Sequence, residues 1–245
     1  MTQANDDILA LAAHPDDAEL LAGGTLALAA QRGCRVTIVD LTRGETATRG
    51  TPEQRQEEAR TAAEILGARE RLTLDLGDGD IANTEDNRRV VAGLIRTRRP
   101  TLVLTHAAVD RHPDHRCAHE LVRDSVFFAN VGGFNAAGER WAVTAVAYFL
   151  GNTLNPEGRA DWVTDVGSTW SVRERALGCY RSQLRRGSSD GRSTYIGSHA
   201  YWDHMERRAR LWGHWIGATH GEPFLLDRPA CAGHPLVELS RVDHV

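Results

Sequence analysis

Residues 8–20 read ILALAAHPDDAEL, a short apolar run that ends in a cluster of polar side chains. The six apolar residues at 8–13 predict a buried strand, since a run of that length followed by a turn signal is typical of a strand inside a parallel sheet. Pro15 biases His14 toward an extended conformation, so the imidazole is expected to project from the strand end. Ligands of open α/β sheets bind outside the carboxyl ends of the strands. We therefore expect this strand tip to face a binding crevice.

The tip carries one imidazole and two carboxylates, from His14, Asp16 and Asp17. Such a compact set of nitrogen and oxygen donors suits zinc or a similar divalent ion. The same residues also fit an ordinary turn whose aspartates cap the following helix. This stretch alone leaves both interpretations open.

Beyond the tip, helix and strand patterns alternate. A helix is followed by a strand at 35–42, and a capping box that starts at Thr51 begins a helix ending at about Leu66. Further strands are predicted at 71–76, 101–105, 142–150 and 162–166, and further helices at 85–98, 170–181 and 198–216. This alternation predicts an α/β fold: a Rossmann-like, doubly wound, mostly parallel sheet with helices on both faces. Its site is expected at the C-terminal ends of the strands, and residues 1–245 are expected to form a single domain.

Composition excludes several classes of protein. The 245 residues are 41% hydrophobic and 25% charged, which fits a globular domain with a sizeable core. The chain shows neither a signal peptide nor the roughly 18 apolar residues of a membrane span, so we expect a cytoplasmic protein without a membrane partner. A net charge of −4 gives no general attraction to nucleic acid. All 29 basic residues are arginine, which excludes lysine Schiff-base chemistry.

A second polar stretch, HAAVDRHPDHR at 106–116, follows the strand predicted at 101–105. Here His112 and His115 flank Pro113 and Asp114, again at a strand tip. The carboxyl ends of parallel strands meet at one edge of a sheet, so the two polar stretches are expected to face one crevice. Two such turns favour a metal site over helix capping alone.

These motifs resemble those of the zinc-dependent N-acetylglucosamine deacetylases, the LmbE-like or PIG-L-like family. Its motifs AHPDD and HPDH stand unbroken at 13–17 and 112–115, and the resemblance covers nearly the whole chain. The chain looks most similar to the branch that deacetylates N-acetylglucosaminyl-L-malate in bacillithiol biosynthesis. This similarity rests on the stretches TRGTPEQRQEEA at 48–59, YRSQ at 180–183 and ERRARLWGHWIGATHGEPF at 206–224. Two positions depart from the pattern: Tyr180, where many relatives have His, and His220, where Tyr is usual.

The resemblance implies a zinc ion held by His14, Asp17 and His115, with a position left open for water. Ferrous iron suits the same donors. Asp16 is implied as the general base on that water. His112 is expected to protonate the leaving amine, with Asp114 holding its tautomer.

Substrate contacts are expected from Arg55, Asp78, Arg111 and Tyr195, the last as an oxyanion donor beside a lid at 185–193. The implied partner is a small amino-sugar substrate. A homo-oligomer is also expected, with Trp202, Trp212 and Trp215 in the core or at its interface.

Several alternatives stay open at this stage. His112 and Asp114 also fit plain helix capping, and the arginines also fit surface charges. His119 lies four residues after His115 and could replace it as a ligand. The reaction could concern another substrate, such as free N-acetylglucosamine, a chitooligosaccharide or a thiol conjugate, or the protein could bind carbohydrate without catalysis.

Overall fold

The computed structural model describes residues 7–151, 159–184 and 194–228. In these residues, seven strands form one sheet in the order β3-β2-β1-β4-β5-β7-β6. The strands are β1 (Ile8–Ala12), β2 (Val36–Asp40), β3 (Glu70–Thr73), β4 (Leu102–His106), β5 (Ala145–Phe149), β6 (Trp162–Asp165) and β7 (Gly221–Leu226). Neighbours from β3 to β5 pair in parallel, whereas β7 runs antiparallel to β5 and β6. The predicted α/β fold with a mostly parallel sheet is confirmed.

Seven helices accompany the sheet in the described residues: α1 (Asp17–Gln31), α2 (Pro52–Leu66), α3 (Glu85–Arg98), α4 (Pro113–Ala129), α5 (Trp170–Leu177), α6 (Arg181–Leu184) and α7 (His199–Trp215). They cover both faces of β1. Ile8, Ala10 and Ala12 pack into one apolar cluster with residues of α1 and α2. Leu9 and Leu11 pack into a second cluster with residues of α3 and α4. A strand buried on both faces needs the unbroken apolar run that the sequence shows.

Side-chain caps determine where two of the predicted helices begin. The Thr51 hydroxyl accepts the Gln54 amide at 3.2 Å, and the Thr84 hydroxyl accepts the Asn87 amide at 3.2 Å. The first of these helices ends at Gly67, whose φ of 76° is left-handed. The predicted bounds of α2 and α3 are therefore confirmed.

The C-terminal third differs more from the prediction. The helix predicted at 170–181 is divided into α5 and α6, and β7 was not predicted because its Gly-Glu-Pro start breaks the strand pattern. The proposed lid at 185–193 lies outside the described residues. Trp212 is buried and Trp215 is 56% exposed. Within the described ranges, none of the helices combines the length and the apolar character needed to cross a bilayer.

Candidate metal centre and active site

The two polar stretches meet because β1 and β4 are adjacent parallel strands, with Ala10 paired to Leu104. Each strand delivers its loop to the same edge of the sheet. The ring of His14 lies 4.8 Å from that of His112 and 5.6 Å from that of His115, measured between centroids. Residues about a hundred positions apart in sequence thus form one cluster.

Asp17 is the carboxylate shared by two imidazoles. Its Oδ2 lies 3.1 Å from Nδ1 of His14 and 3.2 Å from Nε2 of His115. Ligands of a tetrahedral zinc ion at about 2.0–2.1 Å lie roughly 3.3 Å apart. Each of the two donor pairs that include Asp17 therefore has the spacing and the chemistry that a zinc ion requires.

The other nitrogen of each imidazole faces further carboxylates. Nε2 of His14 lies 2.9 Å from Asp114 Oδ2 and 3.1 Å from Asp78 Oδ1. Nδ1 of His115 lies 3.1 Å from Asp110 Oδ2. Histidine ligands of metals usually have a carboxylate on the nitrogen that does not bind the ion. One nitrogen of each ring is thereby left facing Asp17.

The carboxylate of Asp114 was expected to hold His112, and the structure places it elsewhere. Its Oδ2 contacts His14 and accepts the Gly79 amide at 2.8 Å. Asp114 stands in the first turn of α4, from which its side chain points across to the β1 loop. The sequence pairs Asp114 with the nearest histidine, but the fold pairs it with the motif on the neighbouring strand.

The described residues contain more donors than a catalytic zinc takes from protein. Three groups have ligand atoms within 4.8 Å of one another: His14, His112 and His115; Asp17, His106 and His115; and His14, Asp78 and Asp114. In the second group, His106 Nε2 already accepts the Ala13 amide at 2.9 Å. Its lone pair is therefore used by the backbone.

His106 is the histidine that the sequence analysis missed. It is 1% exposed, and its ring stacks on that of His115 with centroids 4.0 Å apart. Burial, followed by the nearby His115 charge, holds the pKa of His106 well below its usual range. A neutral ring thus supports His115 from behind. The available signal was the position of His106 directly after the strand predicted at 101–105. His14 has the equivalent position after the strand predicted at 8–13.

His119, the predicted alternative to His115, does not reach Asp17. Its Nδ1 lies 2.9 Å from the His106 carbonyl oxygen, and its ring packs against Tyr148. One helical turn of α4 carries it from the polar edge of the sheet into the core. The structure brings His115, and not His119, into the cluster.

Asp16 adopts a strained backbone conformation between the two ligand candidates. Its φ is 108°, a left-handed value that costs a non-glycine residue about 1–3 kcal/mol. The side chain is 5% exposed. Burial, and then the charge of Asp17, raises the pKa of Asp16 to about 7, although Arg55 works in the opposite direction.

Arg55, expected to contact substrate, is engaged by the protein itself. Nη2 donates to the Pro15 carbonyl at 2.6 Å and lies 3.5 Å from Asp16 Oδ2, while Nη1 donates to the Gly44 carbonyl at 3.0 Å. The residue is 4% exposed. Its guanidinium therefore ties down the turn that holds Asp16.

His112 is the N-cap of α4, and its Nδ1 accepts the Asp114 amide at 3.3 Å. A neutral ring that accepts at Nδ1 carries its proton on Nε2. Burial, followed by the charges of His115 and His14, lowers the pKa of His112. This geometry favours a neutral hydrogen-bond donor over a protonated acid.

A cavity of about 490 Å³ opens over this cluster. Of the predicted site residues, Asp114 alone is outside its wall; the lining includes His14, Asp16, Asp17, Arg55, Asp78, Arg111, His112, His115 and Tyr195. Tyr195 is 50% exposed and meets Tyr201 edge to face. Asp78 Oδ2 accepts the Thr46 amide at 2.9 Å, so both oxygens of this carboxylate have protein partners.

Comparison with known proteins identifies relatives of this site. The family model for PIG-L, GlcNAc-PI de-N-acetylase, matches residues 9–126, a span that contains both motifs. A 1D-myo-inositol 2-acetamido-2-deoxy-alpha-D-glucopyranoside deacetylase of Tsukamurella paurometabola is 30% identical over 213 residues, 69% of this chain and 71% of that protein. The chain belongs to the PIG-L family of deacetylases.

Two other relatives and one similar solved structure extend the comparison. The diacetylchitobiose deacetylase of Thermococcus kodakarensis is 29% identical over 72% of this chain and 70% of its own length. A 4-oxalmesaconate hydratase of Pseudomonas putida is also 29% identical, over 75% of this chain and 76% of its own length. The crystal structure of the conserved protein TT1542 from Thermus thermophilus has a TM-score of 0.83 at 32% identity, covering 92% of this chain and 96% of that one.

Proposed function

We propose that the protein is a metal-dependent hydrolase that removes acetate from the N-acetylglucosaminyl group of a small conjugate. The observation that carries this proposal is Asp16: a buried carboxylate that lines the cavity beside His14 and Asp17. A site built only to bind a sugar has no need of such a strained, unligated carboxylate. The family match supports the same class of reaction.

We assign His14, Asp17 and His115 as ligands of the ion, and zinc as the ion they suit best. Ferrous iron is the alternative for the same donors. When bound, such an ion polarises both water and an amide carbonyl. Asp17 contacts both imidazoles, which favours this set over the three-histidine group.

Asp16 acts as the general base and then as the acid. It accepts a proton from water as the water oxygen bonds to the acetamide carbon. The carbon–nitrogen bond then breaks, and the same proton passes to the departing sugar nitrogen. Its position in the cavity wall, beside His14 and Asp17, suits Asp16 to both steps.

His112 stabilises the carbonyl oxygen as negative charge develops on it. Its Nε2–H is free to donate, because the Asp114 amide occupies Nδ1. This replaces the expected role of His112 as the acid that protonates the amine. Asp114 accordingly serves His14 instead of His112.

For the substrate we propose N-acetylglucosaminyl-L-malate, on the strength of the motif resemblance and of Arg111. This exposed arginine lines the cavity mouth, where it can pair with a carboxylate beyond the sugar. Tyr195 offers a hydroxyl and an aromatic face at the same rim. Diacetylchitobiose and an inositol conjugate are the competing substrates, since relatives carry those names.

A hydratase is the second candidate, because one relative is named as such. The family model and two of the relatives reported above are named as de-N-acetylases, which makes the deacetylase the first candidate. The same scaffold can serve both reactions, so the two assignments are separated by experiment.

The test is acetate release by zinc-loaded protein from N-acetylglucosaminyl-L-malate, the inositol conjugate, diacetylchitobiose and free N-acetylglucosamine, each with and without a chelator. We expect chelator-sensitive release that is fastest from the malate conjugate. Preference for another glycoside would overturn the malate assignment alone. Hydration of 4-oxalmesaconate with no acetate from any sugar would overturn the deacetylase assignment, and sugar binding without turnover would indicate a binding protein.

A further inference from the structure

Asp110 lies two residues before the HPDH motif and has no place in the mechanism above. It lies in the loop between β4 and α4 and is 7% exposed. Its Oδ1 accepts the His112 amide at 2.8 Å, which fixes the orientation of the carboxylate. Arg116 donates to its carbonyl oxygen at 2.9 Å. The residue is therefore held at both its backbone and its side chain.

The second oxygen of this carboxylate faces the His115 ring. Asp110 Oδ2 lies 3.1 Å from Nδ1 of His115, a buried nitrogen that makes no aligned hydrogen bond to any described residue. Nε2 of the same ring faces Asp17. Asp110 is thus the group that can keep a proton on Nδ1 and leave the Nε2 lone pair for an ion.

Gly151 leaves the space that Asp110 occupies. It follows β5, the neighbour of β4 in the sheet, and its φ lies outside the left-handed region. A Cβ built on Gly151 would lie 2.9 Å from Cγ of Asp110 and would collide with Oδ2. Glycine is therefore required here by the carboxylate and not by the backbone conformation.

We propose that Asp110 is a positioning residue for the metal ligand His115, and that Gly151 is glycine in order to admit its carboxylate. This inference rests on the metal site of the proposed function. It assigns no contact with substrate to either residue. Its consequence is that a substitution at Gly151 acts on metal binding through Asp110.

The experiment is a double-mutant cycle read out as zinc affinity, by competition with a chromophoric chelator. Asp110→Ala and Gly151→Ala should each weaken zinc binding about 10- to 100-fold, the usual effect of losing a partner behind a histidine ligand. The zinc affinity of the double variant should be no lower than that of the single variant with the lower affinity. The reason is that the added methyl group then fills the space of the missing carboxylate. If the fold-loss of zinc affinity in the double variant equals the product of the two single losses, the proposed coupling of Asp110 and Gly151 is overturned.

Asp110→Asn tests the same role in a variant that keeps the shape of the side chain, so that a loss of zinc affinity can be separated from a folding defect. Asparagine can still accept the His112 amide, but it then presents an NH₂ group to the His115 ring. Zinc affinity should fall, and the visible absorption of the cobalt-substituted protein should shift, with unchanged thermal unfolding of the metal-free chain. Unchanged zinc affinity and an unchanged cobalt spectrum would overturn the inference.

Matched controls are Gly133→Ala, where an added Cβ meets nothing within 4 Å, and Asp86→Asn on the surface of α3. Both should bind zinc within about twofold of the parent protein, as surface changes do. If the parent binds zinc and the cycle behaves as expected without acetate release, the deacetylase assignment fails and this inference stands. If acetate release depends on zinc but all variants bind zinc equally, the deacetylase assignment stands and this inference fails.

Discussion

Asp114 Oδ2 and His14 Nε2 lie 2.9 Å apart, so the second motif orients an imidazole of the first. The contact joins residues a hundred positions apart in sequence. Asp114→Ala should therefore weaken zinc binding about 10- to 100-fold, because His14 loses the nearer of its two carboxylate partners and keeps only Asp78 at 3.1 Å. Zinc competition titration measures this effect.

The control is Asp80→Ala, which removes an exposed carboxylate from the loop that carries Asp78. It should leave zinc affinity unchanged. A fall in turnover of Asp114→Ala at saturating zinc, with normal zinc affinity, would instead support the pairing of Asp114 with His112.

His115 and His119 should behave differently although they are one helical turn apart. His115→Ala removes a proposed ligand. Its zinc affinity should therefore fall by more than the about 10- to 100-fold that is expected when a carboxylate behind a ligand is lost. His119→Ala should keep its full zinc content and lose about 1–3 kcal/mol of unfolding free energy, since the His106 carbonyl loses a buried partner. Metal analysis after dialysis and urea unfolding report the two quantities. If His119→Ala loses zinc and His115→Ala does not, His119 is the ligand instead of His115.

Arg55→Met separates a positioning role from a substrate contact. Without the guanidinium, the Pro15 carbonyl and the strained Asp16 lose their anchor. We expect kcat to fall about 100-fold, as for a catalytic group displaced by about 1 Å, with KM and zinc content little changed. Steady-state kinetics on the preferred sugar conjugate give both constants.

Arg111→Met is the matched comparison, since Arg111 is exposed at the cavity mouth. It should raise KM and leave kcat nearly unchanged. The opposite pattern, with KM raised by Arg55→Met and kcat lowered by Arg111→Met, would contradict both assignments.

Glu222 should be a stability residue, although it lies in the family-like GEPF stretch. Its carboxylate accepts the amides of Gly24 and Thr25 inside α1, at 2.8 and 2.7 Å, and lies 3.5 Å from Arg173 Nε. Glu222→Ala removes the buried carboxylate partner of Arg173 and of the Thr25 hydroxyl, so we expect a loss of about 3–5 kcal/mol. Urea unfolding measures it.

Glu64→Ala is the control, an exposed glutamate on α2 whose loss should cost about 0.5 kcal/mol or less. Equal losses for the two variants would refute the structural role of Glu222. The same contacts explain Gly23 and Gly24, because Cβ atoms there would crowd Arg173 and Val166.

The fold and the two motifs could be predicted because their signals are local. An unbroken apolar run, a Thr51 cap and an HPD turn each describe a few neighbouring residues. Their meeting followed from the general position of sites in parallel sheets. The family match supports the resulting assignment of the chain to the PIG-L deacetylases.

Contacts between distant segments were beyond such signals. The partner of Asp114 depends on the distance between two loops, and the engagement of Arg55 depends on the path of residues 44–55. Asp110 lies in the second polar stretch, but its relation to Gly151 exists only where β4 and β5 lie side by side. His106 carried a weak signal, its place at a strand end, without a motif around it.

The most direct measurement of the central claim is acetate release and bound zinc on the same samples of parent protein and Asp16→Asn. Asparagine keeps the shape of the side chain and the proposed ligands but cannot accept the proton from water. We predict full zinc content with turnover reduced about 10²- to 10⁴-fold. Near-normal turnover at full zinc content would contradict the assignment of Asp16 as the base.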